Sequence, residues 1–157
     1  MRLFFASWPP PAVAKALAQW AREAQHACGG RITREDTIHL TLAFLGEADP
    51  QGAIATGRAV RVGATSLPID IARYWNHNRI VWVGPGQVPA ELAELARALG
   101  ETREFAGHVT LLRKARPPAQ LPPLPTLEWP VREFLLVNSE LRPEGPAYEV
   151  LERFALA

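Results

Sequence analysis

The sequence predicts an α+β fold of two similar lobes, and three observations carry that expectation. Strand-like and helix-like segments interleave along the chain. The order strand, helix, strand occurs twice. Each returning strand bears a related tetrad, His39-Leu40-Thr41-Leu42 and His108-Val109-Thr110-Leu111. No glycine-rich nucleotide-binding pattern accompanies the strands, which disfavours a doubly wound dinucleotide fold.

Arg2 to Ser7 reads as a buried strand, and Pro9 to Pro11 suit the first turn of a helix, where a missing N–H costs nothing. Val13, Leu17, Trp20 and Ala24 then form one apolar stripe, and Gly29-Gly30 supplies the stop. A strand from Ile38 to Phe44 runs to Gly46. A second helix is expected near Gln51 to Val62, weakened by Gly52, Gly57 and Gly63, and Leu67 to Tyr74 reads as another strand. The pattern begins again with a strand from Arg79 to Val83, a Gly84-Pro85-Gly86 turn and a helix from Pro89 to Leu99 carrying Leu92 and Leu95. Gly100 ends that helix, and a strand from Gly107 to Arg113 follows. Pro117 to Pro125 predicts an extended crossover. Val131 to Asn138 and Tyr148 to Leu156 predict a closing hairpin around Pro143-Glu144-Gly145-Pro146.

A chain of 157 residues fits one compact domain, 1–157, with room for a substantial core. Its hydrophobic share of 48% and charged share of 21% belong to an ordinary globular protein. A formal net charge of +1 argues against a duplex-binding module, whose affinity depends on a basic excess, so any nucleic-acid contact should be local, at a terminus or a nucleotide. Cys28 is the only cysteine, which excludes an internal disulfide and a paired-cysteine metal or redox site. The apolar run Leu3 to Trp8 is cut by prolines far short of a membrane span. A cytoplasmic protein with no membrane partner is expected.

On a strand, residues two apart share a face, so His39 and Thr41 point one way while Leu40 and Leu42 enter the core, and His108 and Thr110 do the same. If the halves pack as pseudo-symmetric lobes, two imidazoles and two hydroxyls face one cleft. Hydrolysis of a phosphodiester needs a proton taken from water and another given to the departing alkoxide. Histidine, with an unperturbed pKa of about 6.5, does either near neutrality. The threonine hydroxyls would hold the non-bridging oxygens. One His-x-Thr triplet is usually a polar pair on a half-exposed strand; two in equivalent places are harder to dismiss. Metal-ligand patterns such as HxH or HExxH are absent, so neither metal nor cofactor is expected.

Met1-Arg2-Leu3-Phe4-Phe5-Ala6, Ile38 to Gly46 and Gly107 to Arg113 resemble landmarks of the two-histidine phosphoesterase superfamily. Within it they are similar to the bacterial and archaeal RNA 2′,3′-cyclic phosphodiesterases, also called LigT-like proteins or 2′-5′ RNA ligases. Glu133-Phe134, Ser139-Glu140-Leu141, Pro143, Gly145, Tyr148, Phe154 and Leu156 look like the family's closing hairpin. The resemblance implies a bilobal fold of mainly antiparallel sheet with outer helices around a central cleft. It implies hydrolysis of RNA 2′,3′-cyclic phosphate to 2′-phosphate, with 2′-5′ ligation as a side reaction. Carried over, His39 would be the proton donor to the leaving 3′ oxygen and His108 the proton acceptor, or the reverse. Thr41 and Thr110 would bind phosphate, and Arg113 would contact phosphate or the next nucleotide. The expected partners are RNA 3′ ends bearing the cyclic phosphate, or small cyclic nucleotides, acted on by a monomer. The chain departs from the family at Gly107, where proline is common, and its stretch from Leu67 to Arg103 is compact.

Two other readings stay open on the sequence: physiological 2′-5′ ligation or cleavage of another cyclic nucleotide, and a non-catalytic module that binds nucleotides or RNA ends. His26 and His77 read as structural or exposed. Trp8, Trp20, Trp75, Trp82 and Trp129 read mostly as packing, although one of them, or Phe5 or Phe44, could stack a base.

Overall fold

The computed structural model describes residues Met1 to Ala157. Strand β1 (Arg2–Ser7) is buried on both faces: Leu3 and Phe5 enter the main core, while Phe4 and Ala6 pack with Leu135 and Val137. Helix α1 (Pro11–Cys28) starts on its proline and lays the expected stripe of Val13, Leu17, Trp20 and Ala24 against the sheet. It ends at Gly29, whose N–H donates to the Gln25 carbonyl at 2.7 Å. A two-residue strand β2 (Arg31–Ile32) and a 3-10 turn (Glu35–Thr37) lead to β3 (Leu40–Glu47). Helix α2 (Pro50–Ala59) is capped by the Asp49 carboxylate, which accepts from the Gly52 N–H at 3.2 Å. Then come β4 (Thr65–Ile69), β5 (Ile71–Trp75), β6 (Ile80–Gly84), α3 (Ala90–Ala98) and β7 (Val109–Arg113). The chain closes with β8 (Leu127–Val131), β9 (Glu133–Arg142) and β10 (Gly145–Ala155).

The strands form two four-stranded antiparallel sheets, ordered β10-β9-β1-β3 and β2-β7-β6-β5, and a two-stranded ribbon, β4-β8. The repeated unit is therefore real in space. β1-α1-β3 corresponds to β6-α3-β7, with β9 beside β1 where β5 stands beside β6. The lobes are tied by β2, which leaves the first lobe's helix and pairs with β7. Thr33 extends the tie, its N–H reaching the Leu111 carbonyl at 2.9 Å and its hydroxyl the Thr110 carbonyl at 3.0 Å. One apolar core of 30 residues runs through both lobes. Ser7, the one buried polar residue, accepts from Trp129 Nε1 at 3.1 Å, so its hydroxyl is not left unpaired in that core. No helix is long and apolar enough to cross a membrane.

Two sequence expectations need correction. Leu67 to Tyr74 is not one strand. The chain breaks at Asp70, whose carboxylate accepts from the Gly86 N–H at 2.6 Å, sending β4 to the ribbon and β5 to the second sheet. Pro68 suits that ribbon, because a residue without an N–H fits an edge better than a central strand. Likewise, the closing hairpin does not begin at Val131. That residue ends β8, which pairs with β4, and the hairpin strand starts at Glu133 against β1.

Candidate active site

His39 and His108 stand immediately ahead of β3 and β7 rather than inside them, but the strand alternation still governs where they point. Leu40, Leu42, Val109 and Leu111 are fully buried, while His39, Thr41, His108 and Thr110 are each partly exposed. A cleft of about 500 Å³ opens between the lobes. His39, Thr41 and Phe44 line it from the first lobe, Thr110 and Arg113 from the second, and Arg31, Arg34, Tyr148 and the Glu144 hairpin tip complete it. Four of the five sequence-predicted residues thus share one wall-to-wall space. His108 is set beside that lining, against Trp75 at 4.8 Å and Trp82 at 6.2 Å between ring centroids, and when protonated it disfavours a charge on His39.

The electrostatics follow from burial and a nearby guanidinium. Burial drives His39 from 6.5 down to about 4, Arg113 and His108 push the same way, and a hydrogen bond to the Thr37 carbonyl opposes them. His108 is also lowered, by burial first and then by Arg113 and Arg103. Burial pushes the Tyr148 phenol up, against Arg113. Both imidazoles are therefore neutral in the free protein near pH 7, and an anion entering the cleft offsets the Arg113 charge that helps to keep them so. No three His, Cys, Asp or Glu side chains come together as a metal-holding group.

The surroundings of His39 contain residues the sequence reading missed. Trp8 stacks on its ring at 4.9 Å and 16°, and Phe4 and Tyr148 approach at 5.3 and 5.4 Å. The period-2 alternation of β1, continued from Phe4 through Ala6 to Trp8, was the available signal. Among the proposed base platforms, Phe5 is excluded, being wholly buried in the core. Phe44 remains eligible: it is 47% exposed, lines the cleft and carries the Arg2 guanidinium 5.7 Å above its ring. His26 and His77 are exposed and outside the cleft lining.

Comparison with known proteins finds relatives that cover nearly the whole chain. A family model described as LigT like Phosphoesterase matches residues 8–82. The RNA 2′,3′-cyclic phosphodiesterase of Escherichia coli is 36% identical over 171 residues, covering 99% of this chain and 96% of that protein. The chain belongs to the LigT-like phosphoesterase family. The LigT-like relative from Thermus thermophilus, also named RNA 2′,3′-cyclic phosphodiesterase, is 34% identical across 99% of this chain and 90% of its own length. Among solved LigT structures, that of E. coli LigT complexed with 3′-AMP superposes with a TM-score of 0.89 at 32% identity, covering 99% of this chain and 97% of that one. The α+β architecture of two lobes and the membership implied by the resemblance are thus both found.

Proposed function

We propose that the chain hydrolyses RNA 2′,3′-cyclic phosphate ends to 2′-phosphates. The observation that carries this is that His39, Thr41, Thr110 and Arg113, from separate sheets, line one cleft, with His108 two residues before Thr110, in a chain whose full-length relatives bear that activity's name. Thr41 and Thr110 donate hydroxyl hydrogen bonds to the non-bridging oxygens, and the Arg113 guanidinium balances their charge as the transition state forms. His108, neutral, takes a proton from the water attacking phosphorus in line with the 3′ oxygen. His39, protonated once the phosphodiester anion is bound, gives its proton to that oxygen as the P–O bond breaks. The product keeps the phosphate on the 2′ oxygen, and each histidine ends in the other protonation state, so proton exchange with solvent resets the pair. Phe44 supplies a face for the terminal base. Residues 1–157 act as one domain and as a monomer. The lone thiol of Cys28, buried in the core, fits a reducing compartment, so we place the reaction in the cytoplasm.

The test is incubation of the purified protein, in excess chelator, with a short RNA ending in a 2′,3′-cyclic phosphate, reading the phosphate position in the product. A 2′-phosphate formed by the wild type and lost in His39→Ala and His108→Ala is expected. No turnover, or a 3′-phosphate product, overturns the assignment.

A further inference from the structure

We propose that Trp8 is a positioning residue for proton donation: its indole, stacked face to face on His39, fixes the imidazole plane and favours the protonated ring over the neutral one. The proposal rests on the reading of His39 as the donor given above.

The stack is built rather than incidental. Trp8 directly follows β1 and precedes Pro9 and Pro10, so the backbone carrying it has little freedom. Its Nε1 donates to the Asp36 carbonyl at 3.0 Å, which holds the indole in place. The two rings lie 4.9 Å apart and only 16° from parallel. Phe4 is tilted by 37° and Tyr148 stands edge-on at 78°, so the indole is the one aromatic face laid flat on the imidazole. Nδ1 is engaged by the Thr37 carbonyl at 2.7 Å. These contacts leave Nε2 as the ring nitrogen available to the cleft.

An aromatic face carries negative charge density and attracts a cation placed over it. That matters here because the charges acting on His39 are all unhelpful to an imidazolium. Arg113 from β7 and His108 ahead of β7 both oppose it, Tyr148 from β10 is an uncharged phenol, and no carboxylate contributes. A donor histidine without a carboxylate partner needs another source of stabilisation, and the Trp8 face with the Thr37 carbonyl supplies it. His108 lacks the equivalent: its aromatic neighbours Trp75 and Trp82 lie at 55° and 80° to its ring. The two imidazoles therefore stand in unequal aromatic surroundings, and only His39 has a ring face laid nearly parallel to its own.

Trp8→Leu keeps water off the ring but removes the π face, whereas Trp8→Phe restores a face without the indole N–H. The kcat–pH profile of each is measured on the cyclic-phosphate RNA. Trp8→Leu is expected to lower kcat at neutral pH about tenfold and to move the alkaline limb down by about one pH unit, with KM changed less than about twofold. Trp8→Phe is expected to recover most of both. An alkaline limb that stays in place in a folded Trp8→Leu protein, a shift of the acid limb instead, or a Trp8→Phe protein no better than Trp8→Leu overturns the proposal. The His39 ring is also titrated by NMR in the three proteins with saturating inorganic phosphate. A lower His39 pKa in Trp8→Leu supports the stack even if the wild type turns out to cleave some other ester; an unchanged pKa overturns it. Absence of cyclic-phosphate turnover in the wild type, by contrast, sinks the functional reading itself.

Discussion

Nδ1 of His39 lies 2.7 Å from the carbonyl oxygen of Thr37, two residues earlier in the chain. A carbonyl only accepts, so this contact keeps a proton on Nδ1 and leaves Nε2 as the nitrogen for the proposed proton transfer. His39→Asn retains an N–H for the Thr37 carbonyl and has nothing in place of Nε2. It should fold with a melting temperature close to that of the wild type yet lose about 10²- to 10⁴-fold in kcat on the cyclic-phosphate RNA. Turnover within a few-fold of wild type removes His39 from the proton-transfer pair.

The depressed pKa of His39 also predicts how the fold responds to acid. In the unfolded chain this ring takes a proton near pH 6.5, in the folded chain only near 4, so between those values the unfolded state binds more protons. The stability contributed by keeping the ring neutral is complete above pH 6.5 and is lost as pH falls toward 4, by about 3 kcal/mol at most. His39→Gln should flatten that part of the curve. Urea midpoints for both proteins at pH 7 and pH 4.5 check this, and equal acid sensitivity in the two contradicts the burial-driven shift.

Arg113 lowers both imidazoles while standing in the cleft with Thr110. Arg113→Gln removes that charge, so both histidine pKa values should rise and the limbs of the rate profile should move to higher pH. The loss of a charge-assisted contact to phosphate should raise KM about tenfold or more. A profile unmoved on the pH axis, with KM unchanged, means the guanidinium stays in solvent throughout the reaction.

Most of this site was legible in the sequence because it repeats. The alternation in His39-Leu40-Thr41-Leu42 and its counterpart assigns faces without any knowledge of the fold, and β1, α1, α3 and β7 carry strong local patterns. What the sequence hid are relationships between distant segments. The break at Asp70 depends on its carboxylate meeting Gly86, and the short β2 exists only because β7 offers it an edge. Trp8 reads as packing until the segment leading into β3, which carries His39, is laid beside it. Phe5 and Phe44 are equally apolar in sequence, and only the sheet distinguishes the core-facing ring from the cleft-facing one.

Gly57 sits in α2, where helix propensity alone favours alanine by about 1 kcal/mol. Packing decides the opposite way. A Cβ there would lie 2.6 Å from the ring of Phe154, which is itself stacked on Phe134 at 4.8 Å and 12° and cannot retreat freely. Overpacking of this kind costs about 1 to 3 kcal/mol, so Gly57→Ala should be net destabilising. Urea unfolding at pH 7 measures it, with kcat expected to hold because α2 contributes nothing to the cleft lining. A stabilised variant shows that the helix shifts outward more cheaply than the contact suggests.

Gly107 precedes His108 and marks this chain's departure from the proline common at that position. Its φ is +70°, a value proline cannot reach, and a Cβ on it would meet the Pro85 ring at 3.1 Å. The Gly107 carbonyl is also close to Gly84, where an added Cβ would fall 2.7 Å away, so the turn after β6 and the approach to β7 are fitted to each other. Gly107→Pro should therefore do harm here: the backbone must leave its left-handed conformation, and His108 is the next residue to move. Gly107→Ala keeps the N–H and tests the left-handed strain together with the Pro85 contact, at about 1 to 2 kcal/mol of stability or more. For Gly107→Pro we expect a lower urea midpoint and a fall in kcat larger than that of Gly107→Ala, because misaligning the proposed proton acceptor by about 1 Å costs on the order of 10²-fold. If Gly107→Pro is as active and as stable as the wild type, the backbone ahead of His108 tolerates either conformation, and the left-handed turn is not what aims the imidazole.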